Sequence, residues 1–101
     1  MGSTRQKKVL SKELGPISFG GFIRSARIMK DKTQKEMADF LGIAKGTLCD
    51  IEKGRQLVSL DLAYKFAKKC GLSEAMAVEC AVRDQIRKSG FKLQVQVRKA
   101  A

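Results

Sequence analysis

The side chains in this chain with the means to engage a ligand are overwhelmingly cationic: 21 Lys and Arg stand against 10 Asp and Glu, and histidine is absent. The missing imidazole excludes Ser-His-Asp and Cys-His triads and every zinc site that needs histidine. Three cysteines, Cys49, Cys70 and Cys80, lie 21 and 10 residues apart. That is too far for the close cysteine pairs of zinc and thioredoxin-like sites, and an odd number of thiols suits a reducing cytoplasm. No phosphate-cradling glycine loop and no convincing carboxylate pair is present, so no catalytic residue, no metal and no cofactor is expected, and the chain is not expected to be an enzyme. The formal charge of +11 points first to a polyanion, ahead of an acidic protein or a membrane surface. The longest apolar run, residues 75–78, is far too short for a membrane span or a signal peptide.

The most pointed arrangement of these charges falls in residues 45–53. At 100° per residue a helix here would bury Ala44, Leu48 and Ile51 on one side and turn Gly46, Asp50 and Lys53 to the other, with Lys45 and Thr47 at its amino end. A helix held by its back with its outer face open can enter a DNA major groove, which is about as wide as an α-helix. An ordinary amphipathic surface helix would show the same pattern.

The neighbouring elements would position such a helix. Thr33-Gln34-Lys35-Glu36 has the form of a capping box and predicts a helix that turns Met37, Ala38 and Leu41 inward and stops at Gly42. Only Ile43 and Ala44 separate it from the helix at 45–53, and two helices joined so tightly form a helix-turn-helix. Before them, Phe19, Phe22, Ile23 and Ala26 share one helical face behind Ser18 as cap. Gly20 and Gly21 should weaken that first turn by about 1 kcal/mol each unless close packing requires them. After them, Ser59 caps a helix with Ala63, Phe66, Ala67 and Cys70 inward, and Ser73 caps another with Ala75, Val78, Val82 and Ile86 inward, ending at Ser89-Gly90. Cys70 and Cys80 are read as small buried hydrophobes. The last segment changes period. Phe91, Leu93, Val95 and Val97 alternate with Lys92, Gln94, Gln96 and Arg98, as in a half-buried strand.

The 101 residues therefore divide into a basic arm at 1–17, a helical domain at 18–90 and a terminal strand or dimerisation tail at 91–101. The expected fold is all-α, a five-helix bundle with a C-terminal β-strand that pairs across a dimer. Charge is unevenly spread. Residues 1–32 hold eight cations against two anions and residues 59–101 nine against four, whereas residues 33–58 hold four of each.

Taken together, residues 33–38, Leu41-Gly42-Ile43 and the run Leu48-Cys49-Asp50-Ile51-Glu52-Lys53-Gly54 resemble the phage-repressor and Cro type of helix-turn-helix domain, often called XRE, over residues 19–72. The resemblance implies a repressor-like bundle of about five helices whose second and third dock on double-stranded DNA, usually as a homodimer. It makes Gln34 a phosphate contact, puts Lys45, Gly46 and Asp50 towards the groove, and gives Thr47, Lys53 and Arg55 the sugar-phosphate backbone. It also makes Arg27 and Glu52 an internal salt bridge. Ala44 departs from the pattern, standing where a hydroxyl cap is usual at a cost of about 1 kcal/mol. Gly46 has no side chain where many relatives place a base-reading amide, and Val58 replaces a frequent proline. The leading expectation is a small dimeric repressor, regulated by its concentration or by a partner protein. The alternatives are the antitoxin of a toxin–antitoxin pair, with a toxin protein as second partner, and a protein-bridging coactivator.

Overall fold

The computed structural model describes residues 17–100. The expectations for most of the basic arm lie outside them. The described chain forms five helices, α1 (Phe19–Met29), α2 (Gln34–Leu41), α3 (Lys45–Glu52), α4 (Leu60–Cys70) and α5 (Glu74–Lys88). Four of them, α1, α2, α4 and α5, start where their caps predict. The hydroxyls of Ser18, Ser59 and Ser73 accept from the amides of Gly21, Leu62 and Met76 at 3.0 to 3.1 Å. The Thr33–Glu36 box is closed in both directions, at 2.8 and 3.1 Å, and these bonds to Thr33 hold the Glu36 carboxyl below its ordinary range. α2 and α4 end on Gly42 and Gly71, whose φ of 76° and 71° is the left-handed conformation that glycine adopts without steric penalty.

The core joins Phe19 and Ile23 of α1, Met37, Ala38 and Leu41 of α2, Leu48 and Ile51 of α3, and Ala63, Phe66, Ala67 and Cys70 of α4. Gly20 is where α1 meets α3: a Cβ there would overlap the Ile51 carbonyl oxygen. Close packing thus accounts for the glycine in this first turn.

Three expectations are corrected. On α5 the core face is Ala77, Cys80 and Ala81, while Ala75, Val78, Val82 and Ile86 are only half-buried. Small residues meet here, Ala63 and Ala67 of α4 being fully enclosed with Ala77 and Ala81 of α5, so the bulkier aliphatic stripe is displaced to the flank. Ala44 is exposed rather than buried, because it lies one residue beyond the start of α3. Finally, the expected C-terminal strand is not formed: there is no strand among the described residues. The segment after Gly90 instead runs back along α5, where the Val97 amide donates to Glu79 Oε1 at 2.9 Å. Only Val95 and Val97 of its alternating set are half-buried, and Phe91 and Leu93 stay 62% and 64% exposed. A strand needs another edge to pair with, and the described chain offers none.

Candidate nucleic-acid interface

α2 and α3 are joined by the three residues Gly42, Ile43 and Ala44. The left-handed Gly42 reverses the chain, and the Ile43 amide closes the turn on Ala38 O at 3.0 Å. α3 is then fixed from behind by Leu48 and Ile51, which are 0% and 2% exposed. Its amino end has no side-chain cap, as expected from Ala44.

A largely buried ion pair locks the end of α3 to α1. Arg27 of α1 donates from Nε to Glu52 Oε2 at 2.8 Å and from Nη2 to Oε1 at 3.1 Å, the two-pronged geometry that suits a guanidinium to a carboxylate. Its Nη1 donates to the Lys32 carbonyl at 3.0 Å, and Gln34 Nε2 adds a third donor to the carboxylate at 3.0 Å. The Glu52 side chain is 2% exposed and that of Arg27 15%. One carboxylate thereby ties α1, the α1–α2 turn, the first residue of α2 and the last of α3.

The outward side is open. Lys45, Gly46 and Lys53 are exposed, Thr47 and Asp50 are half-exposed, and a Cβ on Gly46 would meet nothing within 4 Å. Arg55, just beyond α3, folds back so that its Nε lies 3.0 Å from Asp50 Oδ1, in a pair 61% and 44% exposed. The Asp50 carbonyl also accepts the Arg55 and Gln56 amides at 2.8 and 3.3 Å. Of the sequence-predicted residues, Asp50 engages Arg55 and Gln34 engages Glu52, while Lys45, Gly46 and Lys53 are left exposed.

Sequence reasoning missed the Asp50–Arg55 pair, since the five-residue spacing crosses a helix end that no periodic rule describes. Cys49, weighed in the sequence only as a metal or redox thiol, is half-buried and lies between Lys45 and Lys53 around the helix. The thiols of Cys70 and Cys80 are buried and pushed up by desolvation, as inert core cysteines are. Among the described residues no cluster of His, Cys, Asp or Glu could hold a metal ion, and no helix is long and apolar enough to cross a membrane.

The family model for the helix-turn-helix matches residues 23–76, more than half of the chain. The chain belongs to this helix-turn-helix family, of the XRE type. It carries a DNA-binding domain of the helix-turn-helix type. It is similar to the cryptic phage CTXphi transcriptional repressor RstR of Vibrio cholerae, with 37% identity over 60 residues, which is 59% of this chain and 54% of that protein. It is also similar to the uncharacterized HTH-type transcriptional regulator MJ0272 of Methanocaldococcus jannaschii, 41% identical over 46 residues, 46% of this chain and 70% of that protein. The chain spans about half the length of the phage repressor that it matches. No solved structure matches it significantly.

Proposed function

We propose that the chain is a sequence-specific transcriptional repressor that occupies an operator as a homodimer in the cytoplasm. The observation that carries this reading is the mounting of α3: its back is sealed in the core, its end is tied by Glu52, and its outer face is open. The rigid mounting sets the angle at which the helix enters the groove, and the open face reads it. In this reading Lys45 and Asp50 meet base edges, the lysine donating to guanine and the aspartate accepting from a cytosine amino group. Gly46 lets the backbone approach closely, and Thr47, Lys53 and Arg55 hold the sugar-phosphate strand.

Two contacts of the DNA-free chain fit this use. The Gln34 amide nitrogen carries two hydrogens, so the one not given to Glu52 is left for a phosphate. The exposed Asp50–Arg55 pair contributes only about 0.2 to 1 kcal/mol, so DNA can part it, sending Asp50 to a base and Arg55 to the backbone.

A dimer would place two copies of α3 about 34 Å apart on an inverted repeat. The exposed Phe91 and Leu93 support a second copy covering the tail, and sedimentation of a chain lacking residues 91–101 tests that: a folded monomer with weak DNA binding is expected, and a tight dimer would move the interface elsewhere. The toxin-partner reading leaned on a terminal strand, and that segment lies along α5 instead. The decisive experiment is footprinting on the DNA upstream of the gene, with Lys45→Ala and Asp50→Ala as readers of sequence preference. Protection of an inverted repeat that these variants alter is expected, and equal protection of random duplex by all three proteins would refute the proposal.

A further inference from the structure

Between the start of α1, the α3–α4 loop and the last turn of α5 lies an open cleft of about 380 Å³. Arg55 lines it from the loop, and Arg87 and Lys88 line it from α5. These two cations are loosely committed. The carboxylate partner of Arg87 among the described residues is Asp84 Oδ1, 3.9 Å away, and the guanidinium side chain is 55% exposed. Asp84 Oδ2 is already engaged by the Phe19 amide at 2.9 Å, so the carboxylate is divided between two donors. Lys88 is exposed, and no ion pair engages it among the described residues.

Cations in the last turn of a helix also favour its dipole, but that role does not account for their opening onto the same cleft as Arg55. The charge distribution gives them a second use. Residues 33–58 carry as many anions as cations, so the helix-turn-helix itself supplies little net attraction for a polyanion. Beyond the contacts of Lys53 and Arg55, further attraction that scales with neutralised phosphates has to come from cations flanking this segment.

We propose that Arg87 and Lys88 form a second phosphate-holding wall, facing Arg55 across the cleft and gripping the backbone of the same DNA duplex. Binding then reaches from the recognition unit onto the end of α5, adding affinity without reading sequence. The inference rests on the DNA-binding reading above.

The test measures binding of labelled duplexes, one of random sequence and one from upstream of the gene, as salt is raised from about 50 to about 200 mM. The charge-removing pair Arg87→Gln with Lys88→Gln is expected to flatten the slope of log affinity against log salt by about 0.9 per lost contact, hence about 1.8, on both duplexes. The charge-keeping pair Arg87→Lys with Lys88→Arg should retain the slope, which a purely packing role would not predict. Lys68→Gln with Lys69→Gln removes the same charge from the exposed end of α4 and should leave the slope near its original value. Thermal melting reports folding for each variant, and Lys88→Gln alone serves if the double variant does not fold. An unchanged slope in the Arg87/Lys88 variants, or an equal flattening by the α4 pair, overturns the proposal. Wild-type protein that binds neither duplex would instead overturn the DNA-binding reading, a failure visible before any variant is compared.

Discussion

Replacing Glu52 by alanine should be the most damaging single change at the interface, and its cost follows from the geometry. The carboxylate accepts from Arg27 Nε, Arg27 Nη2 and Gln34 Nε2, and its removal leaves the 15%-exposed Arg27 with only the Lys32 carbonyl among its present acceptors. Breaking a buried pair from one side costs about 3 to 5 kcal/mol, chiefly through the uncompensated charge that remains. Because Arg27 retains some access to water, the lower end applies, about 3 kcal/mol. In a domain of this size each kcal/mol moves the melting temperature by about 4 to 8 °C, so a fall of about 12 to 24 °C is expected by circular dichroism. Removing the cation as well should recover part of the loss, because Arg27→Ala with Glu52→Ala leaves no buried charge, and the double-mutant cycle isolates the coupling. A melting temperature within about 4 °C of the original would correspond to less than about 1 kcal/mol and would show that the pair is effectively solvated.

Three further outcomes follow from individual contacts. Gly20→Ala should destabilise the fold by about 1 to 3 kcal/mol through overlap with the Ile51 carbonyl, whereas Gly46→Ala, facing open space, should stabilise α3 by up to about 1 kcal/mol; urea denaturation of the two variants checks the contrast. Ala44→Ser supplies the missing cap of α3 and should add about 1 kcal/mol, read in the same assay. The Val97 amide, followed by Arg83, holds the Glu79 carboxyl below its ordinary value of 4.5. A lowered folded value means that the tail's attachment is fully stabilised above about 4.5 and is lost as pH falls through that lowered value. The Val97 amide resonance should accordingly stay constant from neutral pH down to the ordinary carboxylate range and shift only below it. A shift centred near neutral pH would refute the contact.

Helix starts were legible in the chain because a cap is a local event: Ser18, Thr33, Ser59 and Ser73 each bond an amide three residues on, a distance that spacing alone reveals. The same holds for the stops at Gly42 and Gly71 and for the inward faces of α2 and α4, where one apolar stripe stands against polar neighbours. α5 was not legible in this way. It carries two apolar stripes, and the one that enters the core was selected by the shape of α4, whose Ala63 and Ala67 admit Ala77 and Ala81 closely. The candidate site divides along the same line. Lys45, Gly46, Thr47, Asp50 and Lys53 could be placed from helical geometry, and Arg27 with Glu52 from the family likeness. The Asp50–Arg55 pair, the docking of the tail on Glu79 and the cleft that brings Arg87 near Arg55 join segments whose proximity no local period encodes. Local periodicity and capping chemistry thus determined where the helices lie and which residues α3 turns outward. Which faces meet, and whether the alternating tail becomes a strand or lies against a helix, was decided only by tertiary packing, because burial and backbone pairing depend on the surface that stands opposite.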